Sequence, residues 1–370
     1  MIPIRLIPMT GGQAAVEALR QINPAVFAAY PITPQTPIIE GFAKLVASGK
    51  VTTEFLPVES EHSAMSAVIG AAVMGVRAMT ATSSQGLMLM SEILSVASGL
   101  RLPILMNVAA RAISAPINIH CDHSDVMNVA GVGWLQFFSE NPQEVYDLNF
   151  IALKVAESIN TPAMVIQDGF VTSHSLELLE TLPDDKISKF VGNYTSKINP
   201  LDFNEPKTIG PLVLPDYFME VKKAQINDFD LALEAFRLES EAYFKISGRM
   251  IKTIEEFHTE GSESAIVCLG STAGTIKHYI KNEPEKGYSL IKIVSYRPFD
   301  YSGLAKLLKK YQKVIVLERA PTYGATGFLT QEVYAALRLL KEQKDVKTYV
   351  YGLGGANFGL SDVSEILNDS

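Results

Sequence analysis

Short apolar runs alternate with amphipathic stretches along the first 175 residues of the chain. The apolar runs predict β-strands at residues 25–29, 55–58, 77–82, 104–109 and 163–167. The amphipathic stretches predict helices at residues 38–47, 61–74 and 87–98. Because these strands are apolar on both faces, the pattern indicates a parallel sheet that helices cover on both sides.

A further helix start is marked by local signals at Asn141. Asn141 is a suitable N-cap, Pro142 occupies the first helical position and Glu144 follows in the first turn. The apolar residues that follow at helical spacing predict a buried face. This helix and the strand at 163–167 complete a first α/β domain, which we predict to span residues 1–175.

Regular patterning is lost after residue 177 and returns near residue 265. Five prolines interrupt residues 177–217, which therefore form a connecting arm, and a helix is predicted at 228–257. A second α/β alternation follows. Its predicted strands are 265–269, 290–295, 314–317 and 347–351, and its predicted helices are 272–280, 301–311 and 329–341. We predict an arm and helix over 176–257 and a smaller domain over 258–370.

The composition indicates a chain that other subunits cover in part. Hydrophobic residues make up 47% of the chain and charged residues 19%, and the mean hydropathy is +0.15. The most apolar stretch, residues 63–75, is short, rich in small residues and followed by Arg77, so we interpret it as a buried helix rather than a membrane span. No signal-peptide pattern is present at the N-terminus, which predicts a cytoplasmic protein.

Charge and cysteine content exclude two further classes. The net charge is −8 without a run of Lys or Arg, which argues against nucleic acid as the main partner. The two cysteines, Cys121 and Cys268, are too few for an iron–sulfur cluster, which takes about four thiolates. We therefore expect any electron relay to lie on another chain.

Three candidate chemical segments follow predicted strands, where open α/β sheets bind ligands. The first is YPITPQTP at residues 30–37, whose prolines hold Thr33 in a rigid loop. A stiff turn in which Thr36 caps the next helix is an equally good interpretation of this spacing.

The second segment is VESEHS at residues 58–63. Glu61 lies in apolar sequence, which suits a carboxylate that exchanges a proton with a neutral heterocycle. An acidic residue that stabilises the first helical turn is the alternative. In the third segment, AARAISAP at 109–116, Arg111 ends an apolar strand. Its guanidinium could bind a small carboxylate through two N–H groups, or form a structural ion pair.

Two other segments carry weaker signals. HCDHSD at residues 120–125 lacks the usual zinc spacings, so we predict no metal site on this chain. GLGG at residues 352–355 lacks the third glycine of a dinucleotide-binding loop at the required spacing. We therefore assign neither segment a ligand.

Seven motifs together carry a resemblance that spans essentially the whole chain. They are YPITPQTP (30–37), VESEHSAMSA (58–67), TATSSQGL (80–87), SGLRLPI (98–104), RAISAPINI (111–119), DGFVTSH (168–174) and RPFD (297–300). In these motifs the chain resembles the α subunits of pyruvate:ferredoxin oxidoreductases, within the 2-oxoacid:ferredoxin oxidoreductase family. The resemblance implies a pyrimidine-binding thiamine-diphosphate domain of parallel-sheet type and a smaller domain like the C-terminal domain of transketolases.

The resemblance also implies roles for individual residues. Glu61 matches the carboxylate that contacts the aminopyrimidine ring of thiamine diphosphate. Thr33 and Arg111 match the residues that bind the 2-oxoacid, and Pro31 lies where the family packs backbone against the cofactor.

The implied reaction is oxidative decarboxylation of pyruvate with coenzyme A to acetyl-CoA and carbon dioxide, with electrons passed to ferredoxin. A β subunit would carry most of the thiamine diphosphate site and Mg²⁺, and partner chains such as γ and δ subunits would carry [4Fe-4S] clusters. The alternatives are a branched-chain or aromatic 2-oxoacid as substrate, a non-catalytic scaffold subunit, and a transketolase-type carbon transfer without redox.

Two departures from the family pattern bear on the substrate. The segment at residues 130–134 is AGVGW where many relatives have Arg-Asp-Thr-Gly-Trp, so a cation and a carboxylate are missing. Ala110 replaces an asparagine that often precedes the substrate arginine. Thr33, Glu61 and Arg111 are intact, and the departures leave the identity of the 2-oxoacid open.

Overall fold

A computed structural model describes residues 5–196, 200–201, 203–340 and 342–369. The last residue of the predicted helix 329–341 lies outside these ranges, as do parts of the predicted arm and the outer ends of both predicted domains. None of the described helices is both long and apolar enough to cross a membrane.

Nine of the strands that the structure describes match predicted apolar runs to within about two residues, and five others were not predicted. In chain order they are β1 (Arg5–Thr10), β2 (Val26–Ala29), β3 (Glu54–Pro57), β4 (Ala78–Thr82), β5 (Leu105–Ala110), β6 (Leu135–Phe138), β7 (Ala163–Asp168), β8 (Leu176–Thr181), β9 (Ile254–Phe257), β10 (Ser264–Leu269), β11 (Tyr288–Ile293), β12 (Ser295–Arg297), β13 (Lys313–Glu318) and β14 (Asp345–Val350).

The helices lie mostly between successive strands. They are α1 (Gly11–Ile22), α2 (Thr36–Ala47), α3 (Glu61–Val73), α4 (Ser84–Leu89), α5 (Ser91–Gly99), α6 (Ser124–Asn128), α7 (Pro142–Ile159), α8 (Val171–His174), α9 (Asp184–Val191), α10 (Pro215–Ser247), α11 (Thr272–Asn282), α12 (Tyr301–Leu308), α13 (Phe328–Leu337) and α14 (Leu360–Asp369). The predicted capping signal of α7 is confirmed, because the side chain of Asn141 accepts a hydrogen bond from Glu144 N at 2.9 Å.

Seven strands form the large sheet, in the order β12-β6-β7-β5-β4-β2-β3. All neighbouring pairs are parallel except β12 and β6. Every residue of β4, β5 and β7 is buried, since helices cover both faces. The predicted α/β class with a parallel sheet is confirmed.

Five strands form the small sheet, in the order β14-β13-β10-β11-β9, with only β9 antiparallel to its neighbour. The chain leaves this sheet after β11, adds β12 to the edge of the large sheet and then returns to form β13. A separate antiparallel ribbon pairs β1 with β8.

The prediction of a helix over residues 228–257 is wrong in its bounds. The helix α10 begins at Pro215, because proline fits the first position of a helix, and ends before Gly248, whose φ of 73° suits glycine. The last four residues of the predicted range instead form β9, which pairs with β11. The predicted helix 87–98 is likewise two helices, α4 and α5, that meet at Met90.

The segment predicted as an irregular arm also contains regular structure. Strand β8 lies in it because it pairs with β1, a partner far away in the sequence. Helix α9 follows directly, and its buried side chains, Ile187 and Val191, lie in the core beside α7.

Candidate active site

The three segments predicted to carry chemistry lie at one edge of the large sheet. Residues 30–37 follow β2, residues 58–63 follow β3, and Arg111 follows β5. These parallel strands lie in the order β5-β4-β2-β3. Because the carboxyl ends of parallel strands meet at the same edge, the topology gathers the three segments where open sheets bind ligands.

Arg111 is held by main-chain carbonyl groups. Its side chain donates from Nη1 to the carbonyl oxygen of Thr33 at 2.8 Å and from Nε to that of Asn118 at 2.7 Å. Thr33 and Arg111 are therefore in direct contact, through the carbonyl of Thr33 rather than the hydroxyl that the sequence singled out. Pro31 lies exposed in the same loop.

The buried charge of Arg111 has no acidic side-chain partner among the described residues. Only 5% of the residue is exposed, yet no carboxylate there forms an ion pair with its guanidinium. Burial lowers the pKa of Arg111, and the nearby charge of Asp125 opposes this effect. The structural ion pair, which was the alternative interpretation, is not found in the described part of the chain. The N–H groups on Nη2 form no hydrogen bond with the described residues.

Glu61 is the first residue of α3 and is 6% exposed. The helix is capped by its neighbour Ser60, whose Oγ accepts a hydrogen bond from Ser63 N at 3.2 Å. The carboxylate of Glu61 lies over Gly86, since a Cβ at that position would be 2.6 Å from Glu61 Oε1. No group in the described ranges donates a hydrogen bond to this carboxylate, so it is available to an external donor.

The turn after β2 differs from the simple capped turn that was its alternative. Thr36 is the first residue of α2 rather than its cap, and the N-cap residue Gln35 makes no side-chain capping bond. Gln35 is instead buried and donates to the carbonyl oxygen of Ala81 at 2.8 Å, which fixes the loop against β4.

Asp125, which the sequence did not single out, connects the Arg111 side of the site to the segment that faces Glu61. Its Oδ2 accepts hydrogen bonds from Arg111 N at 3.1 Å and from Ser84 N at 2.8 Å, and its Oδ1 accepts from Val126 N at 2.8 Å. Ser84 lies two residues before Gly86, against which the Glu61 carboxylate packs. Burial raises the pKa of Asp125 to about 7, and the backbone hydrogen bonds oppose the rise. Its place at the end of the HCDHSD motif was the available signal.

A second buried carboxylate, Asp168 at the end of β7, connects the two sheets. It contacts His123 Nε2 at 2.8 Å, Arg319 Nη1 at 2.8 Å and Ser271 Oγ at 2.5 Å. Burial alone would raise the pKa of Asp168, but His123 and Arg319 hold it below its usual value. The DGFVTSH motif, which begins with this residue, was the signal in the sequence.

The HCDHSD segment does bring possible metal ligands together. Ligand atoms of Cys121, His123 and Asp168 lie within 4.8 Å of one another. Arg319 already supplies a positive charge to the same carboxylate, which disfavours a cation there. His120 does not join this group, because its ring packs against Phe170 with centroids 4.8 Å apart.

Comparison with known families gives two matches. Residues 17–239 match the family described as pyruvate flavodoxin/ferredoxin oxidoreductase, thiamine diphosphate-binding. Residues 262–363 match the family described as pyruvate:ferredoxin oxidoreductase core domain II.

Individual relatives cover nearly the whole chain. The pyruvate synthase subunit PorA of Thermotoga maritima is 44% identical over 99% of this chain and 95% of its own length. PorA of Pyrococcus furiosus is 40% identical over 99% and 93%. The ketoisovalerate oxidoreductase subunit VorA of Pyrococcus abyssi is 36% identical over 99% and 94%.

The fold is also found in solved structures. One example is the 2-oxoglutarate:ferredoxin oxidoreductase from Magnetococcus marinus with 2-oxoglutarate, coenzyme A and succinyl-CoA bound. The TM-score is 0.77 at 19% identity, over 99% of this chain and 66% of that chain.

Proposed function

Because this chain belongs to the pyruvate flavodoxin/ferredoxin oxidoreductase family, we propose that it is the α subunit of an enzyme that oxidatively decarboxylates pyruvate. Coenzyme A takes the acetyl group to give acetyl-CoA, carbon dioxide leaves, and ferredoxin accepts the electrons. A β subunit carries Mg²⁺ and the larger share of the thiamine diphosphate site. Partner chains equivalent to γ and δ subunits carry the [4Fe-4S] clusters.

The observation that carries this proposal is the buried guanidinium of Arg111, which no carboxylate of the described residues neutralises. A buried charge without a partner is costly, so such a charge is retained where a ligand neutralises it. A 2-oxoacid offers a carboxylate that matches the fork of a guanidinium. The loop at residues 30–37 holds the carbonyl of Thr33 against this group. The exposed side chain of Thr33 would contact the keto end of the substrate.

The residues around Glu61 fit thiamine diphosphate. The Glu61 carboxylate is buried without a hydrogen-bond donor from the described residues, and Gly86 leaves the space above it clear. Glu61 would exchange a proton with the aminopyrimidine ring, and Pro31 would contact the cofactor from the loop. When bound, the cofactor supplies the nucleophilic carbon and the electron sink that the 2-oxoacid requires.

The proposal includes the organisation of the chain and its location. Residues 1–175 form the pyrimidine-binding domain, 176–257 the connecting segment and 258–370 the transketolase C-terminal-like domain. The assembly acts in the cytoplasm, without nucleic acid or membrane as a partner.

A branched-chain 2-oxoacid is the second candidate substrate, because relatives named ketoisovalerate oxidoreductase subunits are also similar. The higher identity to pyruvate synthase subunits favours pyruvate. The departure at residues 130–134 does not lie at the Arg111 edge. These residues precede β6 and so lie at the amino ends of the parallel strands, whereas Arg111 lies at their carboxyl ends. There the carbonyl of Val132 accepts a hydrogen bond from Ser98 Oγ at 2.6 Å.

The substrate is tested with the chain purified together with its partners. Viologen reduction is followed with thiamine diphosphate, coenzyme A and either pyruvate or 2-ketoisovalerate. We expect the larger kcat/KM for pyruvate, and a larger value for 2-ketoisovalerate would reverse the assignment. A complex that contains no iron–sulfur protein and transfers carbon without redox would refute the oxidoreductase proposal.

The role of Glu61 is tested against the scaffold alternative with Glu61→Gln in the complex. The variant keeps the shape of the side chain but cannot exchange the proton, so we expect pyruvate-dependent activity to fall by about two to four orders of magnitude. Glu59→Gln is the matched control, because Glu59 is an exposed carboxylate in the same loop. Equal activity of both variants would support a scaffold.

A further inference from the structure

The glycine-rich segment at residues 352–355, which we call the glycine turn, packs against the loop that carries Arg111. Gly355 N donates to the carbonyl oxygen of Cys121 at 2.7 Å, and Gly354 N donates to Asp122 Oδ2 at 3.3 Å. The turn follows β14 of the small sheet, so this contact joins the small sheet to the candidate site on the large sheet. It has no part in the function proposed above.

Asn118 connects the glycine turn to Arg111. Its Nδ2 donates to the carbonyl oxygen of Gly354 at 2.9 Å, while its Oδ1 accepts from His120 N at 2.7 Å. The carbonyl oxygen of the same residue accepts the 2.7 Å hydrogen bond from Arg111 Nε. The position of Asn118 therefore determines one of the two points at which the guanidinium is held.

Glycine is required in the turn for conformation and for space. Gly354 and Gly355 have φ values of 57° and 77°, which L side chains rarely adopt. A Cβ at Gly354 would overlap with Asn118 Nδ2, and a Cβ at Gly355 would overlap with Cβ of His120. Both glycines thus permit close approach to the Arg111 loop rather than to a dinucleotide.

We propose that the glycine turn is a positioning element for substrate binding, which sets the orientation of Arg111 through the side chain of Asn118. This inference rests on the proposed role of Arg111 as the group that binds the 2-oxoacid carboxylate. Asn118 is a positioning residue, since it holds Arg111 and touches no reacting atom. The domain of the small sheet then contributes to substrate affinity through Asn118, although its glycine turn makes no contact with the substrate in this proposal.

The main test is Asn118→Ser in the assembled complex. A serine hydroxyl can still accept from His120 N, but it is too short to reach Gly354 O, so the variant removes the Asn118–Gly354 hydrogen bond and adds no charge. We expect the KM for pyruvate to rise about fivefold, the effect of losing one ordinary hydrogen bond. We expect kcat to change less than about twofold and the dissociation constant for thiamine diphosphate to stay the same, because Glu61 is not affected.

A second variant, Gly354→Ala, displaces the same contact from the other side. Gly261→Ala is its matched control, because Gly261 also has a positive φ of 77° but a Cβ added there would meet no atom within 4 Å. The control measures the cost of backbone strain alone. Both variants disrupt the same hydrogen bond, which joins Asn118 Nδ2 to Gly354 O. If this bond positions Arg111, the effects of Asn118→Ser and Gly354→Ala on KM are not additive in the double variant.

The outcomes separate this inference from the proposed function. An unchanged KM in Asn118→Ser, in a complex that turns over pyruvate, would overturn the positioning role and leave the proposed function intact. A fall in kcat with an unchanged KM would also overturn it, since a merely structural defect acts in that way. A wild-type complex without activity on any 2-oxoacid would instead refute the proposed function.

Discussion

Lys292 and Arg111 are both buried, yet the surroundings of their charges are opposite. Lys292, 1% exposed, contacts Glu140 at 2.9 Å, Glu144 at 2.5 Å and Glu255 at 2.8 Å. Arg111, 5% exposed, is held by carbonyl oxygens and forms no ion pair among the described residues. Burial alone would lower the pKa of Lys292, but its three carboxylates raise it above the usual value, whereas the pKa of Arg111 is lowered.

The difference distinguishes Lys292, whose charge is neutralised within the fold, from Arg111, whose charge we propose to serve substrate binding. The chain neutralises Lys292 from both sides of the contact between the sheets, since Glu140 precedes α7 while Lys292 and Glu255 lie in the small sheet. Arg111 is desolvated but not neutralised, which is costly unless an anion completes the site. Burial of a cation is therefore not informative about function until its partners are known.

The largest expected effect is on activity when Arg111 is changed. Arg111→Ala would remove the two charge-assisted hydrogen bonds that we propose to the substrate, worth about 4 kcal/mol, so kcat/KM for pyruvate should fall roughly a thousandfold. Arg111→Lys keeps the charge but loses the forked geometry of the guanidinium. Its kcat/KM for pyruvate should therefore lie between the values of wild type and Arg111→Ala. Steady-state kinetics of the complex measure both, and wild-type kinetics in Arg111→Ala would remove the contrast with Lys292.

The next effect is on stability when Lys292 is changed. Lys292→Met leaves Glu144 and Glu255 without their cation, while Glu140 keeps its ion pair with Lys277 at 2.6 Å. The change should lower the free energy of unfolding by about 3 kcal/mol. The KM for pyruvate should not change in the folded fraction. Lys189→Met is the control, because Lys189 pairs with Asp185 at 3.8 Å on the surface and such pairs contribute at most about 1 kcal/mol. Equal thermal unfolding midpoints of the two variants would contradict the structural role of Lys292.

A smaller effect is expected at Asp125, which orients the backbone on the Arg111 side. Asp125→Asn cannot accept all three backbone hydrogen bonds, so kcat/KM should fall about tenfold. The pKa of Asp125 is raised to about 7, so wild-type kcat/KM should also fall as the pH drops through 7. This ionisation should be missing from the pH profile of Asp125→Asn, and an identical profile would exclude Asp125 as its source.

Stability should depend on the same ionisation with the opposite sign. The unfolded carboxyl group has a pKa of about 4, below that of the folded chain. The folded chain therefore binds more protons between these values, and the contribution of Asp125 to the free energy of unfolding decreases as the pH rises from about 4 to about 7. Thermal unfolding of wild type and Asp125→Asn across this range measures the difference.

Elements with local signals could be predicted from the sequence. The start of α7 is specified by three residues within a stretch of four, Asn141, Pro142 and Glu144, and the central strands are specified by uninterrupted apolar runs. Strand β8 could not be found in this way, because it depends on pairing with β1, which is far away in the sequence. Pro215 was misinterpreted as a helix breaker, since the same residue type also begins helices.

For the site, the sequence supplied residues but not their contacts. The motifs singled out Thr33, Glu61 and Arg111, and the topology gathers their loops at one edge. That Thr33 acts on Arg111 through its carbonyl group depends on loop geometry, which residue types do not encode. Asp125 was missed because its N–H donors come from separate loops that meet only in the folded chain.

The short strand β12 has a consequence for dissecting this molecule. The chain visits the small sheet, crosses to the large sheet for three residues and goes back, so no single cleavage of the backbone yields the two sheets as separate pieces. A fragment that stopped before Ser264 would uncover the main-chain groups of β6, and a bare strand of this kind recruits strands from other molecules. If the C-terminal region were exchanged between relatives, the incoming β12 would have to pair with β6 of the recipient.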